Sequence, residues 1–148
     1  MIRISATDLT LRPTRRPRVR LGGYAHLPRL LDKARAFAAG KHGEYVYNCP
    51  LDRQFFEFTG ISHKAFLAAV KTGKSDTEML AWVNAHTKCL PLEIVQWSSW
   101  MESRYPGSAE GHGRFQDVIS KVAPERTDIG TYFERLDLDD YVSFGGKG

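Results

Sequence analysis

Apolar residues recur along this chain at helical spacing, in short segments that open on helix-start residues and mostly close on glycine. This punctuation limits the fold to a packing of short helices. The clearest start is Ser75, which with Glu78 forms a capping box ahead of Met79, Trp82 and Val83, with His86 one turn on. Before it, Leu27, Leu30, Leu31, Ala34 and Ala38 share one face from about residue 26, with Pro28 in the first turn and Gly40 at the end. Residues 41–49 read as a loop or a short extended piece. A second helix is expected from Pro50 to Gly60 around Leu51, Phe55 and Phe58, and a third capped by Ser62 carries Phe66, Leu67 and Val70 towards Gly73.

Downstream, Pro91 opens a segment with Ile94, Trp97, Met101 and Tyr105 on one stripe. Phe115, Val118, Ile119 and Val122 mark a sixth helix, and Ile129, Tyr132, Phe133 and Leu136 a seventh. Nothing alternates like a strand, and no repeat is present. The expectation is an all-α fold, a compact single-domain bundle of about six to seven short helices with oblique crossings. A length of 148 residues, 42% hydrophobic and 26% charged, suits one ordinary core and excludes disordered, collagenous and membrane-spanning classes.

Charge divides the chain unevenly. Residues 1–35 hold nine bases against two acids, a balance of +7, whereas the rest carries −3. Pro13 and Pro17 punctuate the arginines, so residues 1–23 are expected as an extended basic arm on a helical body of residues 24–136. Residues 137–148 form an acidic and then aromatic tail, in which Tyr141 and Phe144 are expected to dock on the body or on a partner. Two cysteines are too few for a disulfide framework. The opening Met1-Ile2-Arg3-Ile4-Ser5 lacks the apolar core of a signal peptide, and no apolar run approaches a membrane helix, so the expected compartment is the cytoplasm.

The arm offers an anion-binding reading, with Arg15, Arg16, Arg18 and Arg20 as candidates, joined by Tyr24 and by Arg35 of the first helix. The same arginines could instead pair with the chain's own acids, Asp137, Asp139 and Asp140 among them. No aromatic lies between Met1 and Gly23 for a base to stack on, which weakens a nucleic-acid reading. Asp32, Lys33 and Arg35 read as a solvated outer face of the first helix.

Cys49, just before Pro50, is placed at a helix N-terminus, where the dipole favours a thiolate; a nucleophile there needs a base within hydrogen-bond reach, and none of the five histidines is tied to it by a local signature. His86 and Cys89 have the spacing of half a metal site but lack a second pair, so neither a metal nor a cofactor is expected. Phe56, Trp97 and Trp100 include aromatics off the core stripes that could mark a cleft or a subunit contact.

Several separated motifs occur in order: Arg18-Val19-Arg20-Leu21-Gly22-Gly23-Tyr24, Leu31-Asp32-Lys33-Ala34-Arg35, Asn48-Cys49-Pro50-Leu51-Asp52, Gly73 to Asp76 ahead of Ala81-Trp82, and Asp139-Asp140-Tyr141. With them the chain resembles, over nearly its whole length, the bacterial family known as domain of unknown function 5069. The resemblance implies a bacterial origin and a small free-standing protein, and carries no activity, cofactor or site residue with it. The leading expectation is a non-enzymatic binding or interaction module, with the basic arm and the tail meeting an anionic ligand or another subunit of a homo-oligomer. The alternatives are a thiol-dependent enzyme or redox protein centred on Cys49, and nucleic-acid binding through the arm.

Overall fold

The structure, a computed structural model, describes residues 3–148; Met1 and Ile2, the first residues assigned to the arm, lie outside the described residues. The helices are α1 (Leu27–Ala38), α2 (Pro50–Thr59), α3 (His63–Val70), α4 (Asp76–His86), α5 (Pro91–Ser103), α6 (Ala109–Val122) and α7 (Tyr132–Ser143). The fold is all-α apart from one small ribbon. Pro28, Pro50 and Pro91 lie in first turns, and Ser62, Ser75, Ser108 and Thr131 accept hydrogen bonds from the first free backbone amides of α3, α4, α6 and α7. Gly60 closes α2 in the left-handed region at φ 75°. No helix among the described residues is long and apolar enough to cross a membrane.

Two corrections concern the ends of the chain. Residues 20–25, expected without strands, form an antiparallel ribbon of β1 (Arg20–Leu21) and β2 (Tyr24–Ala25), with Arg20 opposite Ala25 and Leu21 opposite Tyr24. Gly22 and Gly23 join the strands at φ +59° and +87°, the left-handed pair that a tight two-residue hairpin requires. The acidic stretch is not a tail, because α7 continues through Asp137, Asp139 and Asp140 to Ser143. Its start was also misplaced: Thr131 and Glu134 form a capping box, so Ile129 precedes the helix.

The main core gathers Tyr24, Leu27, Leu30, Leu31, Phe55, Phe66, Met79, Val83, Trp97, Met101 and Phe133 around α1. Phe115, Ile119, Ala123, Ile129 and Leu138 form a second cluster where α6 meets α7. Of the off-stripe aromatics Phe56 is buried and Trp100 exposed, whereas Tyr105 lies beyond the end of α5 and is exposed too. Pro106 disfavours the helical conformation for the residue before it, which ends α5 early. Val118 and Val122, assigned to a buried stripe, flank Phe115 and Ile119 and are exposed.

A Cβ added at Gly22 would collide with the Leu80 side chain in a backbone conformation that already disfavours alanine. Gly22→Ala is expected to destabilise the protein by about 1–3 kcal/mol, read as a lower urea midpoint at an unchanged m-value.

Candidate functional site

His26 ends the ribbon with φ 70°, a conformation uncommon outside glycine, fixed by its amide donating to Pro17 O at 2.8 Å and its carbonyl accepting from Leu30 N at 2.9 Å. Its ring is buried, stacked on Phe133, with Nε2 2.7 Å from Asp52 Oδ1. Asp52 occupies the third position of α2, where Oδ2 accepts from the Cys49 amide at 3.2 Å, an aspartate filling the Glu role of a capping box. The same oxygen accepts from Lys33 Nζ at 2.8 Å, and Nζ also donates to Cys49 Sγ at 3.2 Å. His26, Asp52, Lys33 and Cys49 thus form one hydrogen-bonded chain; the first three are buried and Cys49 is half-buried.

Burial alone would push the Asp52 carboxyl up, but the His26 hydrogen bond and the Lys33 ammonium outweigh it and hold Asp52 well below the usual carboxylate range. Burial lowers His26 against the opposing pull of Asp52, so the ring is neutral near pH 7. An ionised Asp52 can only accept, which puts the ring proton on Nε2 and leaves the buried Nδ1 without a hydrogen-bond partner.

The arm meets α1 on another side. Arg15 donates through its amide to Asp32 Oδ2 at 2.8 Å and through its guanidinium to Asp32 and Asp76 at 2.9 and 2.7 Å. Arg35 completes the group at 2.7 Å from Asp76 and 3.2 Å from Lys74 O. Arg29 donates to Thr14 Oγ1 at 2.9 Å and Asp140 Oδ2 at 2.7 Å, and the Tyr45 hydroxyl donates to Asp140 Oδ1 at 2.7 Å. Asp32 and Lys33 are therefore buried beneath the arm and the start of α2, which corrects their reading as a solvated face.

The other candidates are spread out. Arg20 pairs with Glu102 at 3.0 Å and Arg18 reaches Asp137 at 3.8 Å. Arg16 is exposed and makes no ion pair among the described residues, and with Tyr141 and Phe144 it lines a hollow of about 230 Å³. Tyr24 is no surface ligand: its ring packs on Phe55 in the core, and burial raises its hydroxyl to about 12. Phe144 stacks on Tyr45 at 6.4 Å, whereas Tyr141, expected to dock, is 60% exposed. His86 Nδ1 lies 2.7 Å from Trp82 O, while Cys89 Sγ meets Thr87 Oγ1 at 3.1 Å and Phe58 O at 3.4 Å; no metal-holding group of three or more ligands occurs among the described residues. A cleft of about 680 Å³ runs between residues 5–8 and 12–15 of the arm and Asp32 and Arg35 of α1.

Sequence reasoning missed His26, Lys33 and Asp52 as a group. The signals present were the Cys49-to-Asp52 capping interval and the two-turn interval from His26 to Lys33, which puts both on one side of α1.

Asp76 sits at about 2, held down first by the Arg15 hydrogen bond and then by Arg35 against an opposing effect of burial, compared with 3.8 for an unpaired aspartate. A depressed carboxyl stabilises the fold fully above its unfolded value and loses that contribution as the pH falls through the folded one. The stability difference between wild type and Asp76→Asn, read from denaturant midpoints, is expected to be constant above pH 5 or so and to shrink from about pH 4 to about 2. A difference that stays constant to the lowest pH would show that the arm pairing contributes no acid sensitivity.

A family model described as a domain of unknown function matches residues 12–142, from the arm to the last turn of α7. No curated protein matches the chain.

Proposed function

The chain belongs to the DUF5069 family, and for this member we propose a thiol-dependent function, as an enzyme or a redox protein, with Cys49 as the reacting residue. The observation that carries the reading is Lys33 Nζ, shared between the buried Asp52 and Cys49 Sγ at 2.8 and 3.2 Å. A thiol reacts through its anion, and Lys33 is the cation positioned to pair with that anion. The positive end of the α2 dipole adds to the same field. Asp52 fixes the ammonium from behind and His26 holds the second Asp52 oxygen, so the nitrogen stays aimed at sulfur. Cys89 faces a hydroxyl and a carbonyl instead.

With iodoacetamide at neutral pH, Cys49 is expected to alkylate about tenfold faster than Cys89 or more, and Lys33→Met to remove most of the difference. Similar slow rates at both cysteines of the wild-type protein would overturn the reading, whatever the variant does.

A second reading, an interaction module that meets a partner subunit or an anion, draws on the exposed Tyr141 and on Arg16, which has no ion pair among the described residues, along one hollow. Replacing both, Arg16→Glu with Tyr141→Ser, is expected to lower the mass found by light scattering while leaving the far-ultraviolet circular dichroism unchanged. An unchanged mass excludes this hollow as a subunit contact.

A further inference from the structure

We propose that hydrogen peroxide joins Cys49 Sγ to Lys33 Nζ in a sulfenamide, a reversible covalent link between the residue that caps α2 and the middle of α1. The inference rests on the reading of Cys49 as a reactive thiol and adds the fate of the oxidised sulfur. Three observations carry it. The nitrogen and sulfur are already 3.2 Å apart. Lys33 is buried and held at 2.8 Å by Asp52, so its amine cannot swing into solvent. The other thiol is out of reach: Cys89 contacts the carbonyl of Phe58, nine residues along α2 from Cys49. At about 1.5 Å per residue that is on the order of 10 Å or more, beyond disulfide geometry. The amine is the nucleophile that the fold supplies in place of a second cysteine.

The balance is complete with the peroxide as sole oxidant. In the thiolate and ammonium form of the pair, Cys49 sulfur attacks one peroxide oxygen. The S–O bond forms and the O–O bond breaks; sulfur is oxidised by two electrons to the sulfenic acid, and the peroxide is reduced to hydroxide. That hydroxide takes a proton from the Lys33 ammonium and becomes water. The free amine then attacks sulfur, the S–N bond forms, the S–O bond breaks, and the hydroxyl leaves as a second water with one amine proton. A thiol reductant reverses the link by attack at sulfur, which returns the amine and, through a mixed disulfide, the thiol.

The test treats the full wild-type chain with one equivalent of hydrogen peroxide, alkylates the remaining thiols under denaturing conditions and maps the digest by mass spectrometry. The expected product is a pair of peptides carrying Lys33 and Cys49, lighter by two hydrogens than their sum and released by dithiothreitol. Cys49 recovered as sulfinic acid or in an intermolecular disulfide, with Lys33 unlinked, would overturn the proposal. So would a Lys33–Cys49 link that keeps one oxygen and on fragmentation leaves it on the lysine nitrogen, which places oxygen between the two atoms. Fast alkylation of Cys49 with no link formed removes the sulfenamide and leaves the thiol reading standing; failure of both reactions removes both.

Discussion

The burial on every side of the first two turns of α1, Leu27 to Ala34, is the constraint from which the other contacts follow. Leu27, Leu30 and Leu31 fit the core without cost, but Arg29, Asp32 and Lys33 are carried inside with them. A buried charge costs several kcal/mol unless paired, and breaking such a pair costs about 3–5 kcal/mol. Each of the three is therefore met by a different element: Lys33 by Asp52 of α2, Asp32 by Arg15 of the arm, and Arg29 by Asp140 of α7 together with Thr14. The basic composition of the leading segment has an explanation in this arrangement, since Arg15, Arg18 and Arg20 face carboxylates of the same chain.

Local rules account for what could be read in advance. Helix starts at Pro50, Ser75 and Pro91 were legible because a cap or an N-terminal proline acts within one turn, and the apolar faces of α1 to α4 followed from their spacing. The ribbon was not, since two residues per strand are too short to show alternation; Gly22-Gly23 was its only trace. The acidic run in α7 hid a helix for a different reason. Asp137 and Asp140 are poor helix formers alone, and tertiary contacts to Arg18, Arg29 and Tyr45 decide the matter.

The candidate site divides along the same line. Cys49 was legible as the residue before Pro50, a purely local inference. Its partner was not, because Lys33 lies 16 residues away on another helix and Asp52 reaches His26 across 26 residues. Charges on a predicted helix look solvated when only that helix is considered. Whether Lys33 meets water or sulfur depends on where α2 lands, which no spacing within α1 encodes. Tyr141 shows the converse, an aromatic that a composition argument sends inward and that α7 turns to the surface.

The separations in sequence across these ion pairs also bear on how the chain is made. Arg15 meets Asp76 across 61 residues, Arg20 meets Glu102 across 82, and the helix beneath the arm is anchored to Asp140 across 111. During synthesis these residues of the arm and of α1 are therefore made well before the acids that they meet. Closing such loops early has an entropic cost with no contact yet available to offset it. The arm is then fastened in stages: Arg15 can meet Asp32 as soon as α1 follows it, whereas Arg18 has no Asp137 to face until α7 arrives.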